Sequence, residues 1–318
     1  MAYKVYIPQA VAREGEDYLL EKGYEIVRGD GISGEALKKG IADCDAMLLR
    51  TAKVDREVLE AGKHLKIVAR HGAGYDNIDY KAAEELGIWA TYSPFTTGLS
   101  VAEFTISAML SLAKKLDIMS RELRAGNFDY KYTHKGMDLA GKTLGIVGLG
   151  KIGLQVARRA ALGLDMNIVA YEARPESKEF PDYIRLTDLN TLLQTSDVVT
   201  VHVPGGPATR GMIGAEQFRL MKPTAYLINA SRGGVMDEGA FVEAVKKGEI
   251  AGAAIDVFEQ EPPRTDNPLF SLENVLLTPH IASNTEECMT RIALDAAREI
   301  HLVLSGQAPR FPLNRPRA

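Results

Sequence analysis

Short apolar runs alternate with polar, helix-compatible stretches over most of this chain, and the runs fall into two series. The first lies at Val5–Ile7, Glu25–Val27, Ala46–Leu49, Lys66–Ala69 and Ile88–Thr91, each followed by a polar helical or loop segment. The second begins with Thr143–Val147 and continues through Ile168–Tyr171, Val198–Val203, Ala225–Asn229, Gly252–Val257 and Val275–Leu277. Parallel strands need a crossover between them, so strands spaced by helical patterns predict two doubly wound parallel sheets of the α/β class. Two longer helical patterns stand at the joints of the series. Ser100–Leu123 turns Val101, Phe104, Ile106, Leu110 and Leu112 largely inward, and Thr285–Leu304 carries Met289, Ile292, Ala296, Ile300 and Val303 at helical spacing. Their placement predicts that the chain leaves a first domain (1–98), builds a second (99–285), and returns to the first over 286–318.

The strand Thr143–Val147 runs into Gly148-Leu149-Gly150-Lys151-Ile152-Gly153 and then into an amphipathic helix over Leu154–Ala161. In such a loop Gly148 permits a tight turn, Gly150 lets the backbone approach a pyrophosphate, and Gly153 lets the helix pack close to the strand. The helix N-terminus offers free N–H groups and a positive dipole end to phosphate. The next strand ends at Glu172, nineteen positions after Gly153, at the spacing where a carboxylate takes the ribose hydroxyls of NAD. The segment therefore predicts dinucleotide binding. A structural turn between strand and helix is the alternative.

Composition narrows the setting. A length of 318 residues is enough for two sizeable cores, and 46% hydrophobic with 25% charged residues is ordinary for a soluble α/β enzyme. The net charge of −4 provides no general attraction to nucleic acid or to an anionic membrane. No apolar run reaches the ~18 residues that span a bilayer, and the start of the chain reads as a first strand and not as a signal peptide. Cys44 and Cys288 are far apart. Two reduced cysteines in a cytoplasmic protein are expected, and no cysteine or histidine pair has metal-ligand spacing.

Three segments after strands of the second series carry polar chemistry: Asn229–Asp237 around Arg232, Asp256–Pro262 with Glu259 and Glu261, and Thr278–Ser283 with His280. Open α/β sheets bind ligands at these C-terminal strand ends. An arginine clamps a carboxylate bidentately, a histidine exchanges a hydroxyl proton as hydride moves, and a carboxylate beside it fixes the tautomer. The set suits a 2-hydroxy acid. Each residue also has a bland use: Arg232 as a solvated side chain, His280 as a satisfied structural histidine, Asp256 as a turn cap. Glu259 competes with Glu261 for the carboxylate role. In the first series Gly72-Ala73-Gly74 follows a strand and can form a backbone nest for an anion, or be a mere tight turn. Arg50, Lys53, Arg70 and His71 gather donors near it.

These segments together resemble the D-isomer-specific 2-hydroxyacid dehydrogenases, a superfamily that includes D-lactate, D-glycerate and D-3-phosphoglycerate dehydrogenases. The likeness runs along nearly the whole chain. It includes His71-Gly72-Ala73-Gly74-Tyr75-Asp76-Asn77-Ile78-Asp79, Ser100-Val101-Ala102-Glu103, the Gly148–Gly153 loop, the Arg232 segment, Asp256–Pro262 and Thr278-Pro279-His280. It implies a Rossmann NAD-binding domain inserted into a flavodoxin-like substrate domain, and an enzyme moving hydride between nicotinamide and C2 of a D-2-hydroxy or 2-keto acid. By the resemblance Arg232 binds and polarises the substrate, His280 is the acid/base, and Glu261, just before the proline, is its partner. The spacings of twenty-nine residues from Arg232 to Glu261 and nineteen on to His280 fit the family pattern.

The resemblance further implies cofactor contacts at Gly148, Gly150, Lys151, Ile152, Gly153, Glu172, Val203, Pro204, Ala230, Asp256, Ala282 and Ser283, and substrate contacts at Arg50, Arg70, His71, Ala73 and Gly74. A homodimer built partly on the Ser100–Leu123 helix is implied as well. Some positions depart from the family. Thr97 stands where Asn is usual, Phe104 where His is usual, Gly205-Gly206 where larger residues follow Pro204, and Glu172 where Asp is usual. A longer carboxylate still repels a 2′-phosphate, which favours NAD, while Arg174 leaves NADP open. The chain stops at Ala318, so the regulatory C-terminal domain of many phosphoglycerate dehydrogenases is not expected. Substrates of the 3-phosphoglycerate, glycerate/hydroxypyruvate, glyoxylate or lactate/pyruvate type remain open, as does an NAD(H)-sensing corepressor-like protein on the same fold.

Overall fold

Short, mostly buried strands build the first sheet of the computed structural model, which describes residues 2–177 and 179–316. Its strands are β1 (Lys4–Ile7), β2 (Glu25–Arg28), β3 (Ala46–Leu49), β4 (Ile67–Arg70) and β5 (Trp89–Thr91), all parallel, in the order β2-β1-β3-β4-β5. Side chains point alternately to the two faces of a strand, and both faces are apolar here. Tyr6, Met47, Leu49, Val68 and Ala90 pack one face against Leu37, Ile41, Val58 and Leu59. Val5, Ile7, Ala46, Leu48, Ile67 and Ala69 pack the other against Leu19, Ala296, Ala297 and Ile300. The last three belong to the helix Glu286–Leu304, so the end of the chain completes the first unit. Thr285 caps that helix, its side chain accepting from the Cys288 N–H at 3.2 Å. This unit comprises the residues up to Thr97 and those from Asn284 onward; Gly98–Ser283 forms the other.

The segment after the returning helix is held by two buried polar side chains. Glu299 accepts from the Arg310 and Phe311 N–H groups and pairs with the Arg310 guanidinium at 2.7 Å. Asn314, 5% exposed, accepts from Ala90 N (2.9 Å) and donates to Ile88 O (2.9 Å) and Tyr80 O (3.2 Å). Asn314→Ala leaves buried backbone groups unpaired and is expected to cost about 2–3 kcal/mol. Chemical denaturation of the first unit's transition checks this; a midpoint unchanged from the parent protein refutes it.

The second unit contains β6 (Thr143–Val147), β7 (Asn167–Tyr171), β8 (Ile184–Leu186), β9 (Val198–Val201), β10 (Tyr226–Asn229), β11 (Gly252–Ile255) and β12 (Val275–Leu277). They form a parallel sheet in the order β12-β11-β10-β9-β6-β7-β8. Strand order reverses between β6 and β9, which makes the C-terminal end of β6 a topological switch point, where such sheets bind ligands. The Gly98–Lys114 and Lys151–Leu164 helices share one core with Ile146, Ile168, Val198, Ile228 and Ala254. Val147, Val199, Val201, Leu227 and Ile255 face the opposite core with Phe218 and Phe241.

Three features differ from the reading of the pattern. The helix over Ser100–Leu123 is not continuous: Lys115 adopts a left-handed conformation (φ 55°), separating Gly98–Lys114 from Leu116–Arg124. Helical periodicity continues across such a break, so the pattern hides it. Strand β8 is absent from the pattern because it is a short edge strand in which only Ile184 is buried. Strand β9 ends at Val201, which leaves His202 and Val203 in the following loop. Among the described residues no helix is long and apolar enough to cross a membrane.

Candidate active site

The three glycines of the first loop differ in conformation and surroundings. Gly148 has φ 97°, and a Cβ there would lie 2.8 Å from the His202 carbonyl oxygen. A Cβ at Gly150 would meet nothing within 4 Å, so the backbone there is open to a ligand. At Gly153 a Cβ would overlap the Gly148 carbonyl oxygen, so only glycine allows the helix to start this close to β6. Gly150 is the N-cap of the Lys151–Leu164 helix, whose first N–H groups face the loop. Glu172 follows β7 and accepts from Leu149 N (3.1 Å) and Arg174 N (3.3 Å), which holds its carboxylate beside the glycine turn. Burial lowers the pKa of Lys151. A dinucleotide pyrophosphate fits this cradle: open backbone at Gly150, a helix N-terminus, and a carboxylate one strand away.

At the ends of β10, β11 and β12 the sheet presents Arg232, Asp256 and His280. The His280 Nδ1 lies 2.7 Å from Glu261 Oε2, and the other Glu261 oxygen accepts from the Phe258 N–H at 3.1 Å. Glu259 is instead engaged with the Glu238 backbone and side chain. Glu261, and not Glu259, is therefore the histidine's neighbour. Burial raises the Glu261 pKa, but the hydrogen bond and charge of His280, the Phe258 N–H and the Arg232 charge outweigh it, and the net shift is downward. The carboxylate is ionised at neutral pH and can partner an imidazolium. A cavity of about 360 Å³, walled by Phe258, Phe270, Leu277 and the prolines 262, 263 and 279, adjoins the pair.

Asp256 organises the turn that carries His280. It is 1% exposed, and its oxygens accept from Thr278 Oγ1 (2.6 Å), Ile281 N (2.8 Å) and Ala282 N (2.9 Å). Its backbone carbonyl accepts from His280 N at 2.8 Å. These bonds hold His280 at φ 53°, a conformation uncommon outside glycine. Burial raises the Asp256 pKa against those hydrogen bonds. Ala282 and Ser283 thus sit on the same braced turn. Arg232 is half-buried in the turn after Ala230, and its Nη1 donates to Ser231 O at 2.7 Å. Asn229, 1% exposed, spans that turn: Nδ2 donates to Arg232 O (3.1 Å), and Oδ1 accepts from Ser231 N (3.1 Å) and Ser231 Oγ (2.9 Å). The residues expected at a cofactor thus collect along one edge of one sheet: the loop 148–153, Glu172, Val203 and Pro204, Ala230, Asp256, Ala282 and Ser283.

The other unit carries its own group. Gly72, at φ 141°, follows β4 and is succeeded by Ala73 and Gly74. Arg70 donates from Nε to Asn77 Oδ1 at 3.0 Å and from Nη1 to the His71 carbonyl. Arg50 Nη1 donates to Ala10 O at 3.3 Å, while the Asn77 amide donates to Ala52 O at 2.8 Å. Asn77 thus braces Arg70 and the strand end after β3. The sequence reading passes over it, and over Thr278 and Asn229 too. The only signal available is a polar residue in a turn, which turns show everywhere.

His71 is 4% exposed; burial first, and then the charges of Arg50 and Arg70, push its pKa down to about 4. A histidine neutral in the fold but protonated in the unfolded chain below pH ~6.5 makes stability depend on pH. The folded pKa is depressed, so the stability is fully present above pH ~6.5 and is lost as pH falls toward 4. Burial lowers His202, bonded to Thr200 Oγ1 at 3.0 Å, to about 4 as well. The expected result is a melting temperature that drops between pH ~6.5 and ~4, with a shallower drop in His71→Gln. Parallel curves for the two proteins would refute it.

Fold and site define a dinucleotide-binding α/β protein with an arginine, a glutamate and a histidine at the strand ends of one sheet. A sequence model of the "D-isomer specific 2-hydroxyacid dehydrogenase, NAD binding domain" matches residues 106–282, and the chain belongs to that family. It is 41% identical over 316 residues to a D-3-phosphoglycerate dehydrogenase of Archaeoglobus fulgidus, covering 98% of this chain but 59% of that protein. The chain therefore spans less than two thirds of that relative's length. It is 40% identical over 321 residues to a glyoxylate reductase of Thermofilum pendens, covering 98% and 94% of the two. Among solved structures it is similar to the TT0316 protein of Thermus thermophilus, with a TM-score of 0.90 and 33% identity over 98% of this chain and 99% of that one.

Proposed function

We propose that this protein is an NAD-dependent dehydrogenase of D-2-hydroxy acids, equally a reductase of 2-keto acids, with Arg232, Glu261 and His280 as its catalytic set. The observation that carries the reading is the 2.7 Å contact between His280 Nδ1 and an ionised Glu261, which leaves Nε2 of the ring for a substrate. In oxidation His280 Nε2 takes the proton from the C2 hydroxyl, and in reduction it returns that proton to the carbonyl oxygen. Glu261 holds the ring in one tautomer and balances its charge. Arg232 pairs with the substrate carboxylate and polarises the C2–oxygen bond through its planar fork. The residues of 148–153, Glu172, Val203, Pro204, Ala230, Asp256, Ala282 and Ser283 hold the dinucleotide, whose nicotinamide supplies the hydride acceptor or donor when bound.

The first unit is read as the substrate domain, with Ala73 and Gly74 of the nest, His71, and the guanidinium groups of Arg50 and Arg70 meeting the acid. That cationic set favours a second anionic or polar group beyond the carboxylate, as in 3-phosphoglycerate- or glycerate/hydroxypyruvate-like acids. One relative's name, D-3-phosphoglycerate dehydrogenase, points the same way, whereas another's, glyoxylate reductase, names an acid without such a group. NADH oxidation with glyoxylate, hydroxypyruvate, 3-phosphohydroxypyruvate, pyruvate and branched keto acids tests the activity, and no turnover with any of them would defeat it. Glu172 beside the glycine turn makes NAD(H) the preferred cofactor, and Glu172→Ser should narrow the preference. Equal kcat/KM with NADH and NADPH in the parent enzyme is the contrary result.

A homodimer in the cytoplasm completes the reading. The Leu116–Arg124 helix buries none of its residues, and Leu116, Leu123, Phe128 and Tyr132 are 56%, 58%, 61% and 67% exposed. An apolar face of this size suits a second copy of the chain. Light scattering on the purified protein measures it, and a monomer at micromolar concentration overturns it.

A further inference from the structure

We propose that Asn77 is a positioning residue that sets a preference for acids with a second, anionic group: its amide fixes the Arg70 guanidinium over the Gly72 turn without cancelling the charge. That role rests on the reading of Arg70 as a substrate group. Arg70 donates from Nε to Asn77 Oδ1 at 3.0 Å and from Nη1 to the His71 carbonyl. Both of these acceptors are neutral, and hydrogen bonds from two nitrogens of a planar guanidinium fix its plane. The head so held lies against the glycine turn, because a Cβ built on Gly72 would come 2.6 Å from Nη1 and 3.2 Å from Cζ of Arg70. The charge therefore sits beside the backbone of Gly72-Ala73-Gly74, where a nest would take an anion.

Asn77 is itself fixed through backbone and side chain. Its carbonyl accepts from Val54 N at 2.8 Å, and Asp79 N donates to Val54 O at 2.9 Å. Its Nδ2 donates to Ala52 O at 2.8 Å and more weakly to Arg50 O at 3.4 Å. The other side of that turn is held by Gln9, whose Oε1 accepts from Thr51 N (2.8 Å) and Ala52 N (3.0 Å). One amide thus joins the strand ends that carry Arg50 and Arg70. The charges of both arginines reach the buried ring of His71 and lower its pKa, so the two guanidiniums act on one small region. The amide's donor end meets a carbonyl and its acceptor end a guanidinium, a pairing that a carboxylate does not satisfy. An aspartate at 77 would still accept from Arg70, but it would face the Ala52 carbonyl without a donor and would pair with the charge that an anion uses.

The test compares 3-phosphohydroxypyruvate with hydroxypyruvate, which differ only in the phosphoryl group. The proteins are the parent enzyme, Asn77→Asp, Asn77→Ala, Arg70→Gln, and Asn77→Asp on Arg70→Gln. The readout is the ratio of kcat/KM for the two acids, with NADH affinity by fluorescence beside it; a uniform loss from a loosened fold leaves the ratio alone. Asn77→Asp should lower the ratio about 10- to 100-fold, the worth of a hydrogen bond to a charged group, mainly through a higher KM for phosphohydroxypyruvate. Asn77→Ala loosens the guanidinium but keeps its charge, and should lower the ratio less, by about 3- to 10-fold. NADH affinity should stay near the parental value in both. On Arg70→Gln the Asp substitution should leave the ratio unchanged. An unchanged ratio in either Asn77 variant, while Arg70→Gln lowers it, overturns the role of Asn77 and leaves that of Arg70 standing. A fall as large on Arg70→Gln as on the parent does the same. Where the Asp variant does not fold, the Ala variant decides alone. Phosphohydroxypyruvate that neither turns over nor competes with hydroxypyruvate in the parent enzyme also overturns the proposal. An Arg70→Gln ratio equal to the parent's removes Arg70 from the substrate, and Asn77 with it. No turnover of any keto acid would instead defeat the functional reading itself.

Discussion

His280→Ala is expected to lower kcat about 10²- to 10⁴-fold on the best keto acid, the range by which positioned general acid–base groups accelerate reactions. The size of the loss follows from how completely the ring is prepared for one proton transfer. Its Nδ1 is fixed on an ionised Glu261, its backbone is braced by the Asp256 carbonyl, and its side chain remains about half exposed for a substrate. His71 and His202 do not substitute for it: burial depresses both rings to about 4, so neither is protonated to serve as a general acid near neutral pH. NADH affinity should be nearly unchanged, because the proposed pyrophosphate and ribose contacts lie in the loop 148–153 and at Glu172. Glu261→Gln retains a hydrogen-bonding group but removes the charge, so it should lose less than His280→Ala. Steady-state kinetics together with fluorescence titration of NADH separate the two effects. A His280→Ala enzyme with near-parental turnover would falsify the assignment.

Arg232→Lys should cost about 10²- to 10³-fold in kcat/KM for keto acids, comparable with removing a donor from a developing oxyanion. The charge survives the substitution, and the geometry does not. A guanidinium presents parallel N–H groups to a carboxylate and still reaches a carbonyl oxygen, whereas an ammonium is a point charge on a flexible stem. The structure adds a second reason. The arginine stem leaves the Asn229-braced turn beside Gly205, and a lysine would share the start of that path without the fork at its end. Melting temperature and NADH affinity should stay near the parental values. Unchanged kinetics with every keto acid would place Arg232 outside the site.

The turn at Gly148 and the close packing at Gly153 were legible because each constraint is local. Both act within one strand–turn–helix, so residue type and spacing alone encode them. Both sheets were legible for a similar reason, since parallel strands buried on two faces leave uninterrupted apolar runs. Strand β8 and the break at Lys115 were not. An edge strand with one buried residue has no such run, and a single left-handed residue changes the direction of a helix without disturbing its periodicity.

The sequence by itself determined the α/β class, the two series of strands, the dinucleotide loop and the identities of Arg232, Glu261 and His280 as candidates. Those features follow from local periodicity, or from residue types set in segments that resemble a known family. The resemblance favoured Glu261 over Glu259, and the tertiary structure supplies the contact itself, which depends on where the loop after β11 meets the turn after β12. The tertiary structure alone revealed Asn77, Asn229 and Thr278 as braces and placed Gly205 beside Arg232. The approach of Gly205 to Arg232 and the bond from Thr278 to Asp256 join segments on different strand ends. Distances between such segments are set by sheet order and packing, which no window along the chain contains.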